Sequence, residues 1–213
     1  MNCYQLYPGY SAKNYGNLLL KPSKHTLFFV SYIMITYDSH VRPFAHLFER
    51  VKIPHQRFTQ AEQWANQMIA AKEQETHWKK DPYQAKKRLM TGVLGEIAIE
   101  ILTDSSFIDW SISANSAKYH QPDLSKLGLN AGIKTVEHGK FPIIFKKNNY
   151  PQLINIFRYV DQTCFICGLA SVEVLNTYQS DELILSPKLR ARGTKTGFYG
   201  FEYLDRYQSI TEH

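Results

Sequence analysis

The segment at 81–102 constrains the fold most, because it carries the longest helical pattern in the chain. Asp81 suits the N-cap of a helix, and Pro82 suits its first helical position. Apolar residues then recur at helical spacing on one side, at Leu89, Val93, Ile97 and Ile101. The segment therefore predicts a helix over 82–102 that buries this side against another layer of structure.

Shorter elements are expected around this helix. Before it, a capping box at 59–62 and the helical spacing of Trp64 and Met68 predict a helix over 60–77. After it, we expect short strands over 107–113, 121–127, 130–137 and 141–146, a buried strand over 163–171, a short helix over 172–178, a last strand over 182–186 and a C-terminal loop. This order is typical of an α/β fold with a mixed central sheet flanked by helices.

The length of the chain bounds its domain organisation. The 213 residues suffice for one sizeable domain. Residues 1–33 show no clear periodic pattern, so we expect an N-terminal extension of doubtful order before a single domain over 34–213, whose core spans about 82–186. The apolar run at 27–35 has nine residues, whereas a membrane-spanning helix needs about 20, and no membrane partner is expected.

Cysteine usage indicates a reducing compartment. Three cysteines cannot form a disulfide framework, which favours a cytoplasmic protein. Cys164 and Cys167 form a CxxC motif inside an apolar run, and the sequence has no second pair that would complete a zinc site. We therefore predict that both are core residues of a buried strand.

The chain is basic, with 25 Lys and Arg against 19 Asp and Glu and a net charge of +6. This balance favours a polyanionic partner, although proteins that touch no nucleic acid also carry such a surplus. Cations at the start of the long helix oppose the helix dipole, so they are either phosphate contacts or a solvated face. The candidate nucleic-acid contacts are Lys86, Lys87, Lys146, Lys147, Arg190, Arg192 and Lys195.

Acids and a lysine are expected to converge at one place. Glu96 and Glu100 lie four positions apart on the predicted helix and hence on one face. Asp123 follows Pro122 at the start of one predicted strand, and Lys134 lies in the next strand. A hairpin of these two strands would place Asp123 beside Lys134, next to the acids of the helix.

Two glycines interrupt the same helix. Gly92 and Gly95 each cost about 1 kcal/mol relative to alanine inside a helix. Such a cost indicates that the helix backbone closely approaches another backbone, either a sheet or a nucleic-acid strand.

This combination of side chains suits the hydrolysis of a phosphodiester bond. Mg²⁺ prefers oxygen ligands and usually binds one or two carboxylates together with water and substrate phosphate. A bound metal polarises the phosphate and lowers the pKa of a water ligand. A neighbouring lysine can position or deprotonate the attacking water and offset the negative charge that grows in the transition state.

The residues that carry this pattern are "GVLGE" on a helix, "PD" after it, and a lysine at the end of a short hairpin. Together they resemble the PD-(D/E)xK, or restriction-endonuclease-like, nuclease superfamily, over about 82–171. The resemblance implies a core of helix, three-stranded meander, helix and strand, and metal-dependent cleavage of DNA. It also implies that Glu96, Asp123 and Lys134 are catalytic, and that Glu96, Asp123 and the carbonyl of Ile133 bind Mg²⁺, or Mn²⁺ instead.

The sequence departs from that family at one position. The second acid of the family stands two residues before the lysine, where this chain has Gly132. Gly132 and Lys134 share a strand face, whereas Glu137 points the other way. We therefore expect Glu96, together with Glu100, to supply the missing carboxylate.

The sequence thus predicts a Mg²⁺-dependent DNA endonuclease of restriction or phage type that needs no small-molecule cofactor. A homodimer is expected if both strands are cut, because one active centre breaks one bond. Two alternatives stay open: an inactive relative that only binds nucleic acid, and an unrelated basic α/β interaction module.

Overall fold

A computed structural model describes residues 34–71, 82–111 and 122–206. The described residues belong to one compact unit, which begins at Met34. Its helices are α1 (Tyr37–His40), α2 (His55–Ala71), α3 (Pro82–Thr103), α4 (Val172–Thr177) and α5 (Pro187–Ala191). Its strands are β1 (Glu49–Lys52), β2 (Gly132–Glu137), β3 (Ile143–Phe145), β4 (Gln152–Arg158), β5 (Thr163–Ala170), β6 (Gln179–Ser180) and β7 (Lys195–Phe198). The predicted extension at 1–33 lies outside the described residues.

The central sheet has four strands in the order β1-β5-β4-β2. β5 runs antiparallel to both β1 and β4, whereas β2 runs parallel to β4. The fold is therefore mixed α/β with a mixed sheet flanked by helices, as expected from the sequence. β2 lies at one edge of this sheet, so one side of its backbone pairs with no other strand of the described residues.

A second sheet of three strands has the order β3-β7-β6, and both of its pairings are antiparallel. β7 lies within the C-terminal segment that we expected to be a loop, so that prediction is wrong. Backbone pairing with β3 and β6 holds the strand, and only glycine fits at 197, since a Cβ there would lie 2.3 Å from Cβ of Leu183. The sequence "KTGF" has no alternation that would indicate a strand.

The first face of the central sheet packs against α3. Val93, Leu94 and Ile97 are buried there together with Leu153 and Phe157 of β4. The predicted helix over 82–102 is confirmed within one residue, although Ile101 is 41% exposed and does not belong to the buried stripe. α2 packs against α3 and buries Ala61, Ala65 and Met68.

α3 approaches β2 most closely at Gly95. A Cβ at this position would lie 1.7 Å from Oγ1 of Thr135, so only glycine fits. The predicted close approach to a sheet is confirmed for Gly95. Gly92 has no heavy atom within 4 Å of its Cβ position, so packing does not require glycine there.

The other face of the central sheet forms a second core with α4 and the second sheet. Ile154 and Ile156 of β4 lie there with Leu175 of α4 and Phe198 of β7. Cys164 and Cys167 of β5 are buried free thiols that belong to the two different cores, Cys164 to the core beside α3 and Cys167 to the second core. Their prediction as core residues of a buried strand is confirmed.

The structure corrects several predicted elements. α2 begins at His55 rather than at residue 60, because the amide of Phe58 already donates to the carbonyl of Pro54 and starts the helix there. Residues 72–77 of that predicted helix lie outside the described part. The strand predicted over 107–113 is absent over 107–111, and the strand predicted over 182–186 is replaced by a 3-10 turn at Asp181–Leu183.

The most important correction concerns 121–127, which we expected to be a strand. Asp123–Leu127 is a 3-10 helix that ends at Gly128 with a φ of 78°. Leu124 is buried and Leu127 packs beside the same core, which matches the three-residue repeat of a 3-10 helix. Asp123 therefore does not pair with Lys134 across a hairpin. In the part of the chain that the structure describes, no helix is long and apolar enough to cross a membrane.

Candidate active site

The open edge of β2 positions the first part of the site. The amide of Gly132 donates to the carbonyl of Pro151, towards β4. Successive residues of a strand direct their backbone groups to opposite sides, so the N–H and C=O of Ile133 face the open edge. There the amide of Ile133 donates to Oδ2 of Asp123 at 2.6 Å. Asp123 therefore stands at the edge of the sheet beside the carbonyl of Ile133.

The 3-10 turn holds Asp123 in this position. Pro122 has an extended backbone, and Asp123 is the first residue of the turn that follows. The side chain of Leu124 anchors the turn in the core, and its amide donates to the carbonyl of Ala131 at 3.0 Å. Gly128 closes the turn because its left-handed backbone conformation is favourable only for glycine. The chain thus returns to β2 with Asp123 facing Ile133.

Glu96 approaches the same edge from α3. It follows Gly95, the residue that brings this helix against β2. Its half-buried carboxyl has no hydrogen bond or ion pair with a described residue. Burial, and then the charges of Asp123 and Glu100, raise its pKa to about 8, while Lys126 acts in the opposite direction. Glu96 and Asp123 are therefore electrostatic neighbours, and the oxygen atoms of Glu96 accept no hydrogen bond from a described residue.

Lys134 is the third predicted residue at this edge. Its side chain is half-buried and forms no hydrogen bond or ion pair with a described residue. Burial and the charge of Lys195 lower its pKa to about 8, while the charge of Asp123 raises it. Desolvation raises the pKa of Asp123, although the Ile133 amide and Lys134 act in the opposite direction. The charge of Asp123 thus acts on both Glu96 and Lys134, and Asp123 is hydrogen-bonded to the amide of Ile133.

Glu100 has a different role. It is buried, and its carboxylate accepts hydrogen bonds from the amides of Phe107 at 2.7 Å and Ile108 at 2.9 Å and forms an ion pair with Arg57. These contacts hold the chain that leaves α3. The expectation that Glu100 helps to supply the missing carboxylate is therefore wrong.

Glu137 lies at the far end of β2 and is also engaged. It forms ion pairs with Lys87 at 2.7 Å and with Lys140 at 2.8 Å. Burial raises the pKa of Glu137, but the hydrogen bonds from the two lysines outweigh this effect and lower it. Glu137 therefore does not supply a ligand at the Asp123 edge.

The oxygen donors at the edge of β2 are of the kind that hard divalent cations prefer. Glu96 and Asp123 offer carboxylate oxygens, and Ile133 offers a carbonyl at an unpaired strand edge. Mg²⁺ usually takes only one or two carboxylates from a protein. No group of three or more His, Cys, Asp or Glu side chains among the described residues is placed to hold a metal ion. A cation at this edge would therefore depend on two carboxylates and on neutral oxygen ligands.

Gln152 was not predicted from the sequence as a site residue. It lies beside Gly132 in the register of β2 and β4. A Cβ at Gly132 would lie 2.8 Å from Oε1 of Gln152, 2.9 Å from its Nε2 and 3.0 Å from Cε2 of Tyr150. Glycine is therefore required at 132 as long as Gln152 keeps this conformation. The apolar run that follows Pro151 could have indicated β4, a strand that we did not predict.

Four of the predicted nucleic-acid contacts are held by other residues of the protein. Lys86 pairs with Glu62 at 2.8 Å, Lys87 with Glu137, and Lys146 with Asp181 at 2.6 Å, while Arg190 donates to the carbonyl of Ile184 at 2.6 Å. The other three predicted contacts are less engaged by the protein and more available to a nucleic acid. Lys147 and Arg192 are exposed and make no hydrogen bond or ion pair with a described residue. Lys195 lies over the ring of Phe145 at 5.1 Å, and that ring is 58% exposed.

Comparisons with protein-family models, with curated proteins and with solved structures find no match for this chain. The geometry at the edge of β2 therefore carries the functional inference.

Proposed function

We propose that this chain is a Mg²⁺-dependent DNA endonuclease of restriction or phage type, built on a restriction-endonuclease-like core. The observation that carries the proposal is the hydrogen bond from the Ile133 amide to Asp123 at the open edge of β2. It puts a carboxylate and a backbone carbonyl side by side. The charge of Asp123 acts to raise the pKa of both Glu96 and Lys134, so both side chains lie close to it. These are the groups that the resemblance to the PD-(D/E)xK superfamily implies.

Each residue has a separate task in this proposal. Glu96, Asp123 and the carbonyl of Ile133 would hold Mg²⁺, with Mn²⁺ as an alternative ion. The ion, when bound, supplies electrostatic stabilisation to the phosphate and to the attacking water. Lys134 has a pKa near 8, so it can exchange a proton with water at neutral pH and can stabilise negative charge next to the scissile phosphate.

The surface beside Lys134 supports a polyanionic substrate. Lys195 lies near Lys134 and stacks on the exposed ring of Phe145. A cation over an exposed aromatic ring can contact both a phosphate and an unstacked base. Lys147 and Arg192 add exposed charge that no described residue neutralises. Cleavage of both strands would require two copies of the site, which a homodimer would supply.

The test is the cleavage of supercoiled plasmid with Mg²⁺, with and without EDTA. We expect Asp123→Ala and Lys134→Ala to lose cleavage, and Lys188→Ala, which changes an exposed lysine of α5, to keep it. Cleavage that survives both substitutions at the site would refute the assignment. Salt-sensitive DNA binding by a wild-type protein that does not cleave would favour an inactive nucleic-acid-binding relative. Neither cleavage nor binding would favour a basic α/β interaction module.

A further inference from the structure

Gly132 leaves a gap in the proposed metal site, and a side chain from the neighbouring strand lies in that gap. We propose that Gln152 replaces the missing second acid and serves as a neutral oxygen ligand for the divalent cation. This inference rests on the proposed function, because it concerns the ligand set of the same site.

The strand register places Gln152 on the same face of the sheet as Lys134. Gly132 pairs with Gln152 in the parallel ladder of β2 and β4. Side chains of residues in register point to the same face of a sheet, and residues two apart along a strand share that face. Gln152 therefore lies on the same face as Lys134 and next to the strand end where Asp123 meets Ile133.

The amide of Gln152 occupies the space that a side chain at 132 would need. Both Oε1 and Nε2 lie within 3.0 Å of the Cβ position of Gly132. An acid at 132 and the observed conformation of Gln152 exclude each other. Because Gly132 has no side chain, the Gln152 amide has room on this face of the sheet.

The amide is also free to bind. Gln152 is half-buried, and neither amide atom forms a hydrogen bond with a described residue. The amide oxygen is therefore available to a cation, or to the water shell of a cation, at the edge of β2.

The amide oxygen is also chemically suited to this place. A neutral amide oxygen adds a ligand to a place that already holds the carboxyl groups of Glu96 and Asp123, and side-chain amides are known ligands of hard cations.

The experiment measures Mn²⁺ binding to the full chain by electron paramagnetic resonance, in the absence of DNA. We expect Gln152→Ala to weaken Mn²⁺ binding about tenfold, and Gln152→Glu to strengthen it, because a negative ligand attracts the cation more strongly. Gln67→Ala is the matched control, since Gln67 is an exposed glutamine of α2. Circular dichroism and thermal unfolding without metal establish that each variant is folded.

A second pair of variants tests whether an acid at position 132 can take the place of the Gln152 amide. Gly132→Asp alone should weaken Mn²⁺ binding, because its side chain collides with Gln152. Gly132→Asp combined with Gln152→Ala should bind Mn²⁺ more tightly than Gln152→Ala alone, because the acid then stands at the position that the resemblance implies. A double variant that binds Mn²⁺ no better than Gln152→Ala would contradict the proposal that the two side chains fill the same ligand position.

The outcomes separate this inference from the proposed function. If Asp123→Ala abolishes Mn²⁺ binding and Gln152→Ala leaves it within about twofold of the wild type, the role of Gln152 is refuted while the nuclease proposal stands. If the wild type binds Mn²⁺ through Gln152 but does not cleave plasmid, the nuclease proposal fails and the ligand assignment holds. A wild type that binds no Mn²⁺ overturns both.

Discussion

Glu96 carries the largest electrostatic cost at the site. Its folded-state pKa is about 8 and its ordinary value is 4.5, with burial as the main cause. Between these values the folded protein retains a proton that the unfolded chain releases. Its folding free energy therefore becomes less favourable as pH rises through this window, and the effect is complete at about pH 8.

Glu96→Gln should remove this pH dependence. We expect the metal-free wild type to lose roughly 3 kcal/mol of its free energy of unfolding between about pH 5 and pH 8, since each pKa unit corresponds to about 1.4 kcal/mol. The variant should lose much less. Urea denaturation in EDTA at the two pH values measures the difference, with Glu49→Gln on the exposed face of β1 as the control. Equal losses in the wild type and in Glu96→Gln would contradict the burial of this carboxyl.

Plasmid cleavage should depend on the ability of Lys134 to release its proton as well as on its positive charge. Burial lowers its pKa to about 8, so a neutral amine is accessible near physiological pH. Lys134→Arg keeps the charge but cannot release its proton, because the guanidinium pKa exceeds about 12. If Lys134 exchanges a proton with the attacking water, this variant should cleave plasmid at least 100-fold more slowly, which is about the contribution of general acid–base catalysis.

The pH profile provides the second readout for Lys134. Wild-type cleavage should rise with pH up to about 8, because Lys134 becomes neutral over this range. Single-turnover rates at saturating Mg²⁺ measure this profile. A fully active Lys134→Arg with an unchanged profile would show that only the positive charge matters.

At the residue level, the sequence was informative where a side chain is close in the chain to its partner. Asp123 and Lys134 followed from "PD", and from the alternation of β2, and the structure places the two near each other. Gln152 did not follow, because its relation to Gly132 arises only through strand pairing across 20 positions of sequence. The role of Glu100 was missed for a similar reason: its partners, the amides of Phe107 and Ile108, lie in a loop whose path no periodic pattern encodes.

At the level of elements, contact between α3 and β2 positions the site. Gly95 packs against Thr135, and the next residue along the helix is Glu96. A methyl group at 95 would overlap Oγ1 of Thr135, so the helix would have to move away from the strand. The distance between Glu96 and Asp123 therefore depends on the close contact of Gly95 with Thr135.

Two alanine substitutions in α3 should have opposite effects. Gly95→Ala should destabilise the protein by about 1–3 kcal/mol, because overpacking forces the helix and β2 apart. Gly92→Ala should stabilise it by about 0.5–1 kcal/mol, because nothing lies within 4 Å of its Cβ position and alanine is the better helix former. Urea denaturation of both variants measures the contrast, and Mn²⁺ binding should fall only for Gly95→Ala. Destabilisation of equal size at both positions would contradict the assigned contact.

The elements themselves show which patterns are informative. α3 and β5 were predicted within one residue at each end, because a long helical period and a continuous apolar run have few alternative structures. Residues 122–127 were misassigned because Asp123, Leu124 and Leu127 fit a strand and a 3-10 turn equally well over so short a range. Gly128 decides between them, since its left-handed conformation closes a turn.

At the scale of the whole molecule, the question is which of the positive charges are available to a polyanion. A net charge of +6 says nothing about this, because many cations are already paired inside the protein. Lys86, Lys87 and Lys146 each form an ion pair with an acid of another element. Lys147 and Arg192 are exposed and form none among the described residues. The paired lysines therefore support the fold, whereas Lys147 and Arg192 are better candidates for phosphate contacts.

This division predicts different salt dependence of DNA binding for the two groups. In Ca²⁺ or EDTA, where cleavage should not occur, the affinity for duplex DNA should fall linearly with the logarithm of salt concentration. Lys147→Ala and Arg192→Ala should each reduce this slope by about 0.9, since each removes one phosphate contact. Lys86→Ala should leave the slope unchanged and lower only the thermal stability, because its partner is Glu62 rather than DNA. Fluorescence anisotropy over a salt series measures the slopes, and a slope that the double variant Lys147→Ala/Arg192→Ala does not alter would place the DNA on another face of the molecule.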